Sequence, residues 1–236
     1  HVIGNVGKAW DEVVAKLQKD SRVVTIDLLG FGDSPSPKWA LYSAKTQANS
    51  VIATVFKLRM AGAVVVVGHS LGSLVAIEVA KRYPLFVKSL ILCSPPLYKA
   101  DRLEKKLLPH TDNILKDIYR SAQKRPEQFV RLSAIAMKYN LVNRAFNVTE
   151  DNVDSYMAAL EASIINQTSL QDAKKLKIPT RIIRGTLDPS VISRNLKEVA
   201  LSNKQVTITN IIASHEVKGL FVPAVVKAIT GTFKQN

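Results

Sequence analysis

The chain has 236 residues, of which 47% are hydrophobic, and it carries a formal net charge of +14. Its length and apolar content allow one sizeable core, so we expect a single domain with room for an insertion. The longest apolar stretch, residues 61–68, is far shorter than the roughly 20 residues that cross a bilayer, which argues against a membrane-spanning protein. The positive charge is spread along the chain, and its densest stretch, residues 99–144, has few interleaved aromatic side chains, so we expect a solvated basic surface rather than a nucleic-acid site.

Two features of the sequence bear on the location of the protein, the single cysteine and the start of the chain. Cys93 is the single cysteine and lies in an apolar run, which favours a buried thiol and a reducing, cytoplasmic compartment. The chain opens at His1 without a methionine, and its first residues resemble a loop that follows a strand. We therefore expect residues to be missing upstream, and the absence of a signal peptide cannot be concluded from this end.

Strand and helix patterns alternate along most of the chain. Runs of branched apolar residues predict five strands, at Arg22–Asp27, Ala63–Val67, Ser89–Cys93, Thr180–Arg184 and Val206–Ile211. Helical patterns lie before, between and after them, at Lys8–Lys19, Ser43–Met60, Leu71–Tyr83, Ser193–Ala200 and Pro223–Lys234. Continuous apolar strands are typical of strands buried on both faces, so the alternation predicts an α/β fold with a mostly parallel sheet flanked by helices.

The alternation stops between about Leu97 and Lys177. Helical patterns such as Arg125–Tyr139 and Thr149–Asn166 follow one another there with no convincing strand. We interpret residues 97–177 as a helical cap insertion in a core formed by residues 1–96 and 178–236. An insertion at this point would lie over the C-terminal edge of the sheet, where sites in open α/β sheets are found.

The most specific local signal is the segment Gly68-His69-Ser70-Leu71-Gly72, which matches G-x-S-x-G between a predicted strand and a predicted helix. The motif makes a tight turn that exposes the serine oxygen in a strained conformation, and its glycines let the two chain segments approach. The helix start also directs N–H groups at negative charge developing on oxygen. We therefore take Ser70 as the candidate nucleophile; the alternative is a glycine-rich turn capped by Ser70.

A serine hydroxyl needs a base to become a good nucleophile, and the chain contains four histidines. His69 would point away from the turn that carries Ser70. His1 belongs to the first loop, and His110 lies in the insertion. His215 follows the last predicted strand, in a loop at the C-terminal edge of the sheet. We therefore predict that His215 is the general base, against the alternative of an ordinary loop histidine.

The base needs a carboxylate that holds its tautomer and stabilises the imidazolium. In the fold whose nucleophile is the serine of G-x-S-x-G, the acid lies between that serine and the histidine in the chain, on the C-terminal loop of another strand. Asp188 meets both conditions, because it follows the predicted strand Thr180–Arg184 and precedes His215. An aspartate that caps the next helix is the alternative. An oxyanion hole is also needed, with the Leu71 N–H as one donor and a second donor from the opening loop, residues 1–5.

These segments resemble the α/β-hydrolase superfamily over essentially the whole chain, and above all its cap-bearing serine esterases and carbon-carbon bond hydrolases. Residues 68–72 resemble the family's nucleophile elbow. Residues 27–34 resemble its D-x-x-G-x-G-x-S loop, and residues 177–189 resemble the I-P-x segment that leads to the acid. Their joint occurrence is more specific than any single motif. Because the family uses the aspartate at position 27 to shape a loop, the resemblance leaves Asp27 outside the triad.

The resemblance also has implications for the start of the chain. His1 matches the histidine of the family's H-G oxyanion loop, and Ile3 would then supply the second oxyanion donor. Val2 stands where glycine is usual, so we expect this loop to be shaped differently. The family has a strand between those that match Arg22–Asp27 and Ala63–Val67, with an antiparallel pair before it. We therefore expect N-terminal strands to be missing from this chain.

The predicted reaction is acyl transfer to water through an acyl-enzyme intermediate and a Ser-His-Asp triad. We expect a small carboxylic ester as substrate, no metal or organic cofactor, and no nucleic-acid or membrane partner. The same triad could instead cleave carbon-carbon bonds, thioesters or lactones, and a chain of this fold could be an inactive binding protein. A basic nucleic-acid-binding module is the third alternative. The sequence does not define an oligomeric state.

Overall fold

The computed structural model describes residues 7–19, 21–60, 62–99, 124–138 and 153–233. Its strands form one sheet in the order β1-β2-β3-β4, and each neighbouring pair is parallel. The strands are β1 (Val64–His69), β2 (Val87–Cys93), β3 (Thr180–Gly185) and β4 (Val206–Ile211). Four of the five predicted strands and the parallel sheet are therefore confirmed.

The helical patterns are confirmed with small shifts at their ends. A 3-10 turn at Gly7–Trp10 precedes α1, and a π-helical turn at Leu160–Ile165 continues α5. The α-helices are α1 (Asp11–Leu17), α2 (Ala44–Lys57), α3 (Leu71–Arg82), α4 (Pro126–Lys138), α5 (Val153–Ala159), α6 (Ser169–Ala173), α7 (Ser193–Ser202) and α8 (Phe221–Phe233). None of the helices in the described ranges combines the length and apolar character needed to cross a bilayer.

Strand β2 illustrates why the sheet is covered on both faces. Leu90 and Leu92 pack in one core cluster with α3, whereas Ile91 and Cys93 pack in a second cluster with α1 and α8. Side chains alternate between the two faces of a strand, so an uninterrupted apolar run supplies both clusters. The continuous apolar pattern therefore predicted correctly that β2 is buried on both sides.

Residues Arg22–Asp27 differ from the prediction, since they have no regular secondary structure. A cavity of about 800 Å³ lies between this segment and β1, and branched apolar side chains from both sides line it. The four valines of β1, residues 64–67, are only half-buried. A strand requires a hydrogen-bonded neighbour. Among the described residues, the cavity separates Arg22–Asp27 from β1, the end strand of the sheet. Arg22–Asp27 therefore does not form the predicted strand, and the cavity lies where the family resemblance predicts a further strand between this segment and β1.

The predicted cap, residues 97–177, is described in part. Residues 97–99, 124–138 and 153–177 contain helices and no strand, and the rest of the range lies outside the described residues. The Ser163 hydroxyl donates to the Tyr42 carbonyl oxygen at 2.9 Å, and the Ser155 hydroxyl lies 3.2 Å from the Tyr42 hydroxyl. These bonds attach α5 and its π-helical turn to the loop before α2. The division into a core of 1–96 and 178–236 and a cap of 97–177 stays a prediction.

Candidate active site

Ser70 occupies a sharp turn between β1 and α3. Its φ of 52° and ψ of −119° place it in a backbone region that residues with a side chain rarely adopt. A methyl group added to Gly68 would lie 2.2 Å from the Gly72 carbonyl oxygen and 2.5 Å from the Gly72 carbonyl carbon. Only glycine fits at position 68, because the two arms of the turn are in contact. The expected strained turn with closely approaching glycines is confirmed.

The surroundings of Ser70 fix the turn against β2. The Ser70 N–H donates to the Cys93 carbonyl oxygen at 2.9 Å, and the buried Ser73 hydroxyl donates to the Gly68 carbonyl oxygen at 2.9 Å. Leu71 is the first residue of α3, so its N–H has no carbonyl partner within the helix. This N–H stays the predicted first oxyanion donor.

Asp188 and His215 meet at the same edge of the sheet. Asp188 follows β3 and His215 follows β4, and the His215 Nδ1 atom lies 2.7 Å from Asp188 Oδ2. The two loops approach closely: a methyl group added to Gly185 would lie 2.4 Å from the carbonyl oxygens of both Ala213 and Ser214. Because β3 and β4 are parallel neighbours, their C-terminal loops begin side by side and bring the acid to the histidine.

Ser190 contacts both Asp188 and His215, and the sequence analysis missed it. Its N–H and its hydroxyl both donate to Asp188 Oδ1, at 2.9 Å and 2.6 Å, and its hydroxyl oxygen lies 3.0 Å from His215 Nδ1. Aspartate followed two residues later by a hydrogen-bond donor is a common turn pattern, and this signal could have identified Ser190. The hydroxyl thus holds the carboxylate at the oxygen that does not contact His215.

The Asp188 carboxylate is ionised at neutral pH. Burial by itself would raise the pKa of Asp188, but the hydrogen bond and charge of His215, together with the hydroxyls of Ser190 and Ser94, lower this pKa to about 2. An ionised carboxylate can only accept, so His215 must donate its Nδ1–H to Asp188. The Nε2 atom of a neutral His215 is then free to accept a proton.

His69 links the turn of Ser70 to the loop of His215. Its Nε2 atom lies 2.7 Å from the His215 carbonyl oxygen, and the centroids of the two imidazole rings are 4.8 Å apart. Within the described part of the chain, no hydrogen bond joins the Ser70 hydroxyl to the His215 ring. The structure therefore brings Asp188 and His215 together directly, and places the residue next to Ser70 against His215. Catalytic hydrogen bonds are often long before substrate binds.

The remaining predicted residues fall into two groups. Ile3, His1, Val2 and His110 lie outside the described residues. Asp27 shapes its loop as expected: its side chain accepts from the N–H of Gly7 at 2.6 Å and from that of Asp33 at 3.1 Å. Among the described residues, no cluster of three or more histidine, cysteine, aspartate or glutamate side chains could hold a metal ion.

Comparisons with known proteins place the chain in a family. The family model described as the alpha/beta hydrolase fold matches residues 1–208. An Arabidopsis thaliana protein named probable lysophospholipase BODYGUARD 4 is 40% identical over 91 residues, which are 38% of this chain and 22% of that protein. The chain thus matches about a fifth of that curated relative's length.

Two solved structures are similar in fold at about one-fifth sequence identity. The enol-lactonase from Burkholderia xenovorans LB400 has a TM-score of 0.77 at 20% identity, and the similarity covers 99% of this chain and 88% of that one. The thermophilic esterase from Thermogutta terrifontis has a TM-score of 0.76 at 20% identity, covering 98% and 86%. The sheet, the helices on both of its faces and the match to residues 1–208 agree: the chain belongs to the α/β-hydrolase fold family.

Proposed function

We propose that this chain is a serine hydrolase that cleaves a small carboxylic ester through an acyl-enzyme intermediate. The contact between His215 Nδ1 and Asp188 Oδ2 carries the proposal, because it prepares the opposite ring nitrogen to act as a base. The position of Ser70 in a strained turn at the same edge of the sheet supports its role as nucleophile. Three residues from three different loops thus have the chemistry of a catalytic triad.

In the proposed reaction, the Ser70 oxygen attacks the ester carbonyl carbon while His215 Nε2 removes the hydroxyl proton. The N–H of Leu71, with Ile3 as the predicted second donor, binds the oxyanion of the tetrahedral intermediate. His215 then protonates the departing alcohol and leaves an acyl group on Ser70. Water, deprotonated by His215, attacks this acyl group; His215 then returns the proton to the Ser70 oxygen as the acyl–oxygen bond breaks and the acid leaves. Asp188 stabilises the imidazolium in both halves.

The substrate class is supported by likeness in fold and by chemistry. The solved relatives include an esterase, named for esters, and an enol-lactonase, named for a lactone, which is a cyclic ester. The curated relative is named a probable lysophospholipase, which is also an ester-cleaving class. A small-molecule ester is therefore the substrate that we propose, and the cytoplasmic location stays a prediction from the sequence.

The test is hydrolysis of p-nitrophenyl acetate and butyrate by the purified chain, alongside labelling with a fluorophosphonate probe. Ser70→Ala should abolish both hydrolysis and labelling, since it removes the proposed nucleophile. Ser202→Ala is the matched control, because Ser202 is an exposed serine at the end of α7. Equal labelling of Ser70→Ala and the parent would contradict the proposal. A folded parent that neither hydrolyses ester nor takes up the probe would favour a binding protein.

A further inference from the structure

His69 is a buried polar side chain for which the proposed reaction has no direct use. Only 3% of its surface is exposed. The ring lies edge-on to Trp10, with centroids 6.4 Å apart, and at the same distance from Phe221. Its one hydrogen bond in the described part of the chain runs from Nε2 to the His215 carbonyl oxygen at 2.7 Å. A buried imidazole with a single short contact of this kind has a defined orientation.

The direction of this hydrogen bond follows from elementary chemistry. A carbonyl oxygen only accepts, so His69 Nε2 must carry the proton. Burial, reinforced by the neighbouring His215, lowers the pKa of His69 well below its ordinary value, which keeps the ring neutral. A neutral imidazole has one N–H, and the contact assigns it to Nε2. His69 is therefore a donor fixed toward the main chain of His215.

This bond gives His215 a second point of attachment. Asp188 holds the side chain of His215 at Nδ1, whereas His69 holds its main chain at the carbonyl oxygen. His69 is also the last residue of β1 and precedes Ser70 directly, so its backbone moves with the turn of the nucleophile. One side chain thus connects the position of Ser70 to that of His215. Misplacement of reacting groups by about 1 Å costs roughly a hundredfold in rate.

We propose that His69 is a positioning residue: its hydrogen bond to the His215 carbonyl oxygen sets the distance between the base and Ser70. The inference rests on the proposed function, because it assigns a task only if Ser70 and His215 react. In the proposed reaction His69 transfers no proton and forms no bond to the substrate. Its loss should consequently slow the chemical step while leaving substrate binding nearly intact.

The test compares His69→Phe with His69→Gln. Phenylalanine retains a ring of similar size and has no donor. Glutamine places an amide N–H as many bonds from Cα as His69 Nε2, so it can restore the hydrogen bond. We expect His69→Phe to lower kcat for p-nitrophenyl butyrate about tenfold or more, with KM changed less than about twofold, and His69→Gln to recover most of the loss. The rate of fluorophosphonate labelling should fall and recover in parallel.

The outcomes separate this inference from the function on which it rests. A parent protein that neither hydrolyses ester nor is labelled at Ser70 would contradict both the proposed function and the positioning role of His69. An active parent with an unchanged kcat in His69→Phe overturns the positioning role alone. So does a glutamine variant as impaired as the phenylalanine variant, since a purely structural role would give no rescue. If thermal unfolding shows that His69→Phe is not folded, His69→Met replaces it in the comparison. Methionine is similar in length to glutamine and lacks a donor.

Discussion

The two halves of the candidate site are built in different ways. Residues 68–72, the nucleophile half, are consecutive and are held by backbone conformation, with Gly68 in contact with Gly72. The acid-base half joins Asp188, Ser190 and His215 from two loops through side-chain hydrogen bonds. The nucleophile half therefore depends on the small volume of its glycines, and the acid-base half depends on the charge of Asp188. Substitutions that alter only one of these properties should affect the halves separately.

The largest expected effect tests the charge-dependent half. Asp188→Asn keeps the volume but removes the carboxylate, which leaves His215 without the group that selects its tautomer. We expect kcat/KM for p-nitrophenyl butyrate to fall about 10⁴-fold, or roughly 5.5 kcal/mol. Asp154→Asn is the control, since Asp154 is exposed at the start of α5. Full activity in Asp188→Asn would show that another group orients the histidine.

Gly68→Ala tests the volume-dependent half. The added methyl group would lie 2.2 Å from the Gly72 carbonyl oxygen. This oxygen can move only if α3 moves with it, so the turn must deform. We expect a loss of about 3 kcal/mol in the free energy of unfolding, measured in urea, together with a loss of activity. Gly231→Ala is the matched control, because a methyl there meets the end of the flexible Arg181 side chain. An unchanged stability in Gly68→Ala would contradict the close approach in the turn.

The pH dependence of stability gives a third, smaller effect. The pKa of Asp188 is lowered from 3.8 to about 2 by folding, so its contribution is present above pH 4 and is lost as pH falls through about 2. Asp188→Asn should therefore be about 2 kcal/mol less stable than the parent at pH 7. The difference should shrink below pH 4 and vanish near pH 2. Denaturant titrations at several pH values measure it, and a difference independent of pH would refute the assignment.

Ser190→Ala should have the smallest effect of the four. The variant loses the 2.6 Å bond from the hydroxyl to Asp188 Oδ1 but retains the 2.9 Å bond from the backbone N–H. We expect a loss of about 1 kcal/mol in stability and a several-fold decrease in kcat. Thermal unfolding and ester hydrolysis check both. A loss as large as that of Asp188→Asn would mean that Ser190 itself takes part in the chemistry.

The sequence predicted the nucleophile half and the meeting of Asp188 with His215, because both depend on local patterns. G-x-S-x-G defines a turn within five residues, and parallel strands bring their C-terminal loops to one edge. The contact of His69 with the His215 loop was not predicted, since it depends on which way a buried ring turns between distant segments. Arg22–Asp27 was predicted as a strand from its apolar run, and it forms no strand, because a strand needs a hydrogen-bonded partner and none of the described strands lies beside it.

The cavity beside β1 has a consequence for hydrogen exchange. The Val64 N–H donates to the carbonyl oxygen of Phe86, just before β2, and the Ser70 N–H donates to that of Cys93, at the end of β2. Because N–H groups alternate in direction along a strand, those of Val65 and Val67 face the cavity. These two amides should exchange with deuterium far sooner than those in the middle of β2, although all four valines of β1 belong to the same strand. Protection within β1 would thus alternate residue by residue.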